Sequence, residues 1–222
     1  FAIYPDHNLH MLLYAASMDG QSGIATQAGK DYTKRTSDTM YQVLTLIRFG
    51  RFDEVVEVTK RPEREIPAAA FDFSQGYAKL KLGDSDFAKA YLAKVKKVAD
   101  TSKVEFRNHS AARLVGVLAN ILDGEITRRA GDVPGAIAKF ETAVKLDDEM
   151  DYDEPEPLPF PARHWLGAAL IEAKRFADAE LVYKKDLEQH PHNGWALLGL
   201  QQALNGQGKT DPAVDADLAK SW

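Results

Sequence analysis

Cysteine is absent from the 222 residues of the chain, which excludes disulfides, thiolate metal sites and cysteine nucleophiles while leaving the compartment open. Long apolar runs are missing as well: no stretch approaches the ~20 residues needed to span a bilayer. There is no basic excess, since 28 Lys and Arg face 33 Asp and Glu for a formal net charge of −5. The concentrated positive surface that nucleic acid requires is therefore not expected. Neither Gly-x-Ser-x-Gly nor His-Glu-x-x-His occurs. The stretch "ALNGQGKT" (203–210) imitates a phosphate loop, but it follows a predicted helix, not a strand, and opens with Ala. Nucleotide binding is set aside on that ground. The first residue is Phe1, so the chain reads as a processed or trimmed product. A soluble protein in the cytoplasm, or one exported after signal removal, fits equally.

What the chain does contain is an ordinary soluble composition, 45% hydrophobic and 27% charged, arranged with internal self-similarity. "GDSDFAKAYLAKVKKVAD" from Gly83, "GDVPGAIAKFETAVKLD" from Gly131 and "KRFADAELVYKKDLEQHP" from Lys174 share one plan. Each has a turn, a small residue about five positions on, and then apolar residues at helical spacing. Gly76, Gly124 and Gly167 each stand seven residues before the turn position. The unit is an apolar helix with a small residue at its centre, a tight turn, and a second helix packed back on the first. Small residues at those positions let two helices approach closely.

This pattern resembles the tetratricopeptide repeat family, whose motif is 34 residues long, over nearly the whole chain. Leu166, Gly167, Leu170, Phe176, Ala179, Tyr183 and Pro191 fall in the family's register within 160–193. The resemblance implies an all-α fold: an α-solenoid of about six helix pairs coiled into a right-handed superhelix, forming one domain over 1–222. Its repeats would run 6–35, 36–68, 69–102, 103–150, 160–193 and 192–222. The first is weak, with Gly29 where an aromatic belongs. The second has its second helix cut short by Pro62 and Pro67. The last has its turn displaced by about two residues.

Two segments depart from the array. After Lys97, Ser102 and Glu105 form a capping-box pattern, predicting an unusually long first helix of ~28 residues, ~40 Å, in the fourth repeat. Then 147–156 hold seven acids, and Pro155, Pro157, Pro159 and Pro161 follow in alternation. Residues 151–159 are thus a Pro- and acid-rich insertion on an extended, polyproline-like path, able to reach on the order of 25 Å. Its acids are expected to stay solvated, or to meet Arg128, Arg129 or Arg163, or to recruit a basic partner or a divalent cation. The region from Asp151 to Gly208, with its segments "DEP…P.RH.LGAAL" and "Y..DL…P.NGWAL.GL", also resembles the C-terminal end of bacterial tetratricopeptide proteins with no assigned activity.

The family's first helices line the concave groove. Carried over, those positions and their neighbours assign binding to Met40, Phe73, Tyr77, Lys81, Glu125, Arg128, Arg163, Asn193 and Trp195. The set lacks the Lys and Asn pattern that clamps a peptide carboxylate. Histidines suggest an alternative. His7 and His10 stand three apart on one helical face, and two imidazoles at that spacing can share a metal ion. His10 and His164 occupy the same repeat position, and His109 lies beside the repeat that His164 opens. With Glu154 from the insertion they would form a histidine–carboxylate site for copper, zinc or iron, with hydrolytic or redox activity as its extension. His190 and His192, in "HPH", read as a solvated turn. The sequence thus predicts a scaffold that binds a protein or peptide partner, with a metal- or small-ligand groove as the rival, no membrane span and no defined oligomeric state.

Overall fold

A computed structural model describes residues 4–221. Twelve helices and one short hairpin make up its regular structure among the described residues. They are α1 (Tyr4–Met18), α2 (Ser22–Thr36), α3 (Met40–Arg48), α4 (Phe52–Glu57), α5 (Glu65–Lys81) and α6 (Ser85–Thr101), then β1 (Glu105–Phe106) and β2 (His109–Ser110). After the hairpin come α7 (Ala111–Arg129), α8 (Val133–Asp148), α9 (Arg163–Glu172), α10 (Phe176–Gln189), α11 (Gly194–Gly206) and α12 (Pro212–Ser221). The all-α expectation holds.

The helices come as six pairs because a left-handed backbone residue reverses the chain inside each. Gly20, Gly50, Gly83, Gly131 and Gly208 take positive φ at five of these turns, and Lys174 does so at the sixth. Without a Cβ, glycine adopts that conformation at little steric cost. Side-chain caps then restart three of the second helices: Asp84 accepts from the Phe87 amide at 3.2 Å, Asp132 from the Gly135 amide at 2.8 Å and Asp211 from the Ala213 amide at 2.9 Å. Each uses the carboxylate to satisfy a donor that the helix start leaves unpaired.

Successive helices pack on one another, and α3, α5 and α7 also meet directly, as do α9 and α11. Glycines set the closeness of approach. A Cβ on Gly124 would fall 2.4 Å from the Phe140 ring. The Tyr183 ring is clasped from both sides, since a Cβ would come within 2.3 Å of it from Gly167 and 2.1 Å from Gly199. Gly199→Ala is therefore expected to destabilise the fold by about 1–3 kcal/mol through overpacking, in spite of alanine's better helix propensity. Adding Tyr183→Leu should recover part of the loss in thermal melts. An unchanged melting temperature for Gly199→Ala would show that the ring gives way freely.

Three expectations need correction. First, Gly29, expected only as a gap where an aromatic belongs, has a packing role of its own. It lets α2 press against α3, where a Cβ would sit 2.8 Å from Thr45 Oγ1 and 3.1 Å from the Gln42 backbone. Secondly, the long helix does not exist. Ser102 closes α6 as its C-cap, the chain makes the β1–β2 hairpin, and α7 starts at Ala111 with Ser110 as its N-cap. The reversal lies at Arg107 and Asn108, both at positive φ, a conformation that asparagine tolerates and a two-residue hairpin favours. The apparent capping box belongs to two different elements.

Thirdly, the insertion is not a solvated loop. Tyr152 and Glu154 are exposed, but every residue from 157 to 162 is buried. Leu158, Phe160 and Ala162 join one hydrophobic core with residues of α3, α5 and α7. The Phe160 ring centroid lies 5.0 Å from that of Trp165, edge-on, and 6.4 Å from that of Phe73. In an extended chain alternate residues share a face, so the prolines space out a row of apolar side chains. The insertion is a strap laid across the first helices.

Closure of the helix succession accompanies the strap. The Trp195 indole N–H donates to the Ser17 carbonyl at 3.2 Å, and the Asn193 side-chain amide lies 3.3 Å from Met18 Sδ. The first pair thus meets the last. No described helix is long and apolar enough to cross a membrane.

Candidate functional site

Beside the strap, the first helices leave open a cleft of about 490 Å³. That volume falls in the ~300–1,000 Å³ range of small-molecule pockets. Its walls come from α3 (Ile47, Arg48), the following turn and α4 (Gly50, Phe52), α5 (Tyr77, Lys81), α7 (Glu125, Arg128), α9 (His164, Trp165, Ala168), α10 (Tyr183) and α11 (Trp195, Leu198). Aromatic rings dominate it. Tyr77 and Trp165 meet edge-on at 6.2 Å between centroids, joined by a hydrogen bond from the Trp165 indole N–H to the Tyr77 hydroxyl at 3.0 Å. Opposite, the Arg48 guanidinium lies 4.3 Å from the centroid of Trp195, and Lys81 Nζ stands 5.0 Å from that of Tyr77.

Three cations, Arg48, Lys81 and Arg128, share this wall with one carboxylate, Glu125. Buried Glu125 pairs with both Lys81 and Arg128, and Arg128 also reaches Glu172. Such pairing is what makes a buried carboxylate tolerable. Arg48 is held differently. Its Nη1 donates to His164 Nδ1 at 2.9 Å and its Nε to the Ser17 carbonyl at 3.3 Å, whereas Nη2 is buried with no hydrogen-bond partner. Burial draws this guanidinium down to about 9, so it remains charged at neutral pH.

Behind Arg48 runs a polar chain linking the cleft to the strap. A guanidinium can only donate, so His164 Nδ1 accepts, and its protonated Nε2 donates to Asp186 at 3.0 Å. Asp186, wholly buried, takes a second bond from His190 Nδ1 at 3.1 Å, and His190 Nε2 reaches Glu156 of the strap at 3.2 Å. Burial alone would raise the Asp186 carboxyl, yet the hydrogen bonds from His164 and His190 outweigh it and hold the group below the usual carboxylate range. For His190 burial works downward, but Asp186 and Glu156 prevail and push it up to about 10. His164 stays below its ordinary value, chiefly through burial. The chain is thus carboxylate–imidazolium–carboxylate–imidazole–guanidinium at neutral pH. With both ring nitrogens engaged, His164 has neither a free lone pair for a metal nor one for general-base work.

The predicted site residues separate into groups. Tyr77, Lys81, Glu125, Arg128 and Trp195 line the cleft. Met40 and Phe73 do not: they are core residues, at most 1% exposed. Asn193 caps α11, accepting from the Trp195 amide at 3.0 Å. Buried Arg163 holds Asp148 and Gln189.

The proposed metal set does not converge, and among the described residues no group of three or more His, Asp or Glu is placed to hold a metal. His7 is exposed. His10 stacks on Tyr41 at 4.1 Å, and its Nδ1 lies 2.6 Å from Arg107. Since the guanidinium donates, the His10 proton sits on Nε2, leaving no lone pair for a metal. Burial, then Arg107 and His7, lower His10 to about 3. His109 turns its Nε2 to Asp153 at 3.2 Å, while Glu154 is exposed and meets Tyr152. The strap acid that matters here is Asp153, which also pairs with Arg107.

His190, expected in a solvated turn, was misjudged. Its side chain is 11% exposed against 76% for His192. Its place four residues after Asp186 at the end of α10 was the available signal. Of the arginines expected for the acids, Arg163 does hold Asp148, whereas Asp151 meets Arg113 and Asp153 meets Arg107. No protein-family model, curated protein or solved structure matches the chain.

Proposed function

We propose that this protein is a tetratricopeptide-like helical array acting as a binding module, which takes a short extended segment of a partner protein into the aromatic cleft. The observation that carries this reading is the strap. The chain's own extended segment, 157–162, already lies buried against α3, α5 and α7, and the aromatic cleft continues that surface where the strap ends. Rings that combine apolar area with a polar edge are typical anchors at binding faces. Engagement of both His164 nitrogens favours binding over acid–base chemistry. The repeated turn spacing and the small residues at the helix contacts support the tetratricopeptide-like assignment.

Ala168 lines the cleft from α9, and enlarging it fills the space while sparing the core. A displayed library of random peptides should yield binders to the native protein. Ala168→Arg should abolish their capture while the melting temperature holds within a few degrees, since arginine and alanine have similar helix propensities. Absence of any enriched peptide, or capture unaffected by Ala168→Arg, would overturn the reading.

A further inference from the structure

Resting on that binding reading, the cleft also specifies the chemistry of its occupant. We infer that the partner segment carries an acidic side chain next to an apolar or aromatic one, the acid meeting Arg48 and Lys81 while the apolar group lies among Trp165, Trp195 and Tyr77.

Two independent observations converge on this. The first is charge: of the groups lining the cleft, three are cationic and one is a carboxylate. Glu125 is shared between Lys81 and Arg128, and Arg128 has Glu172 as well. Arg48 has no carboxylate of its own within the cleft. Its Nη2 is a buried donor without an acceptor, the kind of group whose desolvation goes uncompensated until something supplies an oxygen. Arg48 is also fixed in place. His164 grips Nη1, Asp186 fixes His164, and the Trp195 ring lies beneath. A guanidinium held this way can take an acceptor oxygen with little further loss of side-chain entropy on binding.

The second observation is the strap's own chemistry. It joins the array by setting acids against cations, Asp153 on Arg107 and Glu156 on His190, and by burying Leu158 and Phe160 between them and the core. An acid followed within a few residues by an apolar side chain is therefore a combination that this face demonstrably accommodates. The open half brings the same ingredients together, cations beside aromatic rings, with no segment among the described residues laid over them.

The test reads the composition of the captured peptides. Selection on the native protein should enrich sequences pairing Asp or Glu with an apolar or aromatic residue. Replacing the acid by its amide in a synthetic copy should weaken binding about tenfold or more, the expected worth of a hydrogen bond to a charged group. Arg48→Met and Lys81→Gln should each weaken the acidic peptide by a similar factor, leave its amide version nearly unaffected, and reduce the salt dependence of binding. The peptide-side replacement leaves the protein untouched, so it decides the matter even where Arg48→Met disturbs the fold. If peptides captured through Ala168 lack acids, or bind Arg48→Met and Lys81→Gln as well as the native protein, the acidic assignment falls while the binding module stands. If no peptide depends on Ala168, both fall together.

Discussion

Asp186→Asn is expected to cost about 3–5 kcal/mol of folding stability, the usual loss when one member of a buried charged set is removed. Asp186 is fully buried between His164 and His190. An amide keeps the shape but leaves the His190 imidazolium with only Glu156, which is half exposed. The effect must also carry a pH signature. Because His190 binds its proton more tightly in the folded chain, at about 10, its contribution is complete below the ordinary histidine value of ~6.5 and declines as pH rises towards 10. Asp186 behaves oppositely: its carboxyl is held low, so its contribution is complete above ~4 and is lost on acidification. Both describe one attraction seen from its two partners, so their energies are not added. Urea denaturation across pH should show an alkaline decline above roughly 6.5 that is shallower in Asp186→Asn. Below ~6.5 the neutral His10, which resists protonation in the folded chain, adds an acid-side loss common to both proteins. Parallel profiles for the two proteins would show that the polar chain does not couple to folding.

Phe160→Ala is the second large effect, again about 3–5 kcal/mol, as for other buried phenylalanines whose loss leaves a cavity. Phe160 is 1% exposed and sits among Trp165, Phe73 and the strap's Leu158 and Ala162. Trp165 also walls the cleft, so a cavity behind it should loosen the Trp165–Tyr77 hydrogen bond and lower peptide affinity together with stability. Tyr152→Ala, on the same insertion but 85% exposed, should move stability by less than about 0.5 kcal/mol. A loss below about 1 kcal/mol for Phe160→Ala would mean that the strap merely rests on the array and forms no part of its core.

Helices and turns were legible in the sequence because their determinants are local. Glycine at a left-handed turn and a small residue seven positions earlier recur at countable spacing, and each acts mainly on its nearest helices. The hairpin was hidden because Ser102 and Glu105 reproduce a helix start, although Ser102 ends α6 and Glu105 opens β1. The strap was misread for a longer-range reason. Acids and prolines are the composition of a solvated loop, and only closure of the helix succession supplies Arg107 and His190 as partners. One local signal did point inward: Leu158, Phe160 and Ala162 alternate with prolines, the period-two pattern of an extended segment with a buried face. The histidine site failed for the same long-range reason. Spacing placed His7 and His10 on one helix, but each imidazole's fate was set by a distant group, Arg107 for His10, Asp153 for His109, and Arg48 with Asp186 for His164. Half the cleft was legible through repeat positions. Arg48 and Ala168 stand at groove-facing repeat positions as well, and Trp165 joins them because α3, α9 and α11 close around the end of the strap.

The most direct test of the binding cleft is the pair of indole N–H resonances from Trp165 and Trp195, followed while a captured acidic–apolar peptide is titrated. Trp165 donates to Tyr77 and Trp195 to Ser17, on opposite walls of the cleft. Both signals should shift in step with one dissociation constant, and both should stay still in Ala168→Arg. Movement of resonances elsewhere with these two indoles unmoved would place binding outside the cleft and contradict the account.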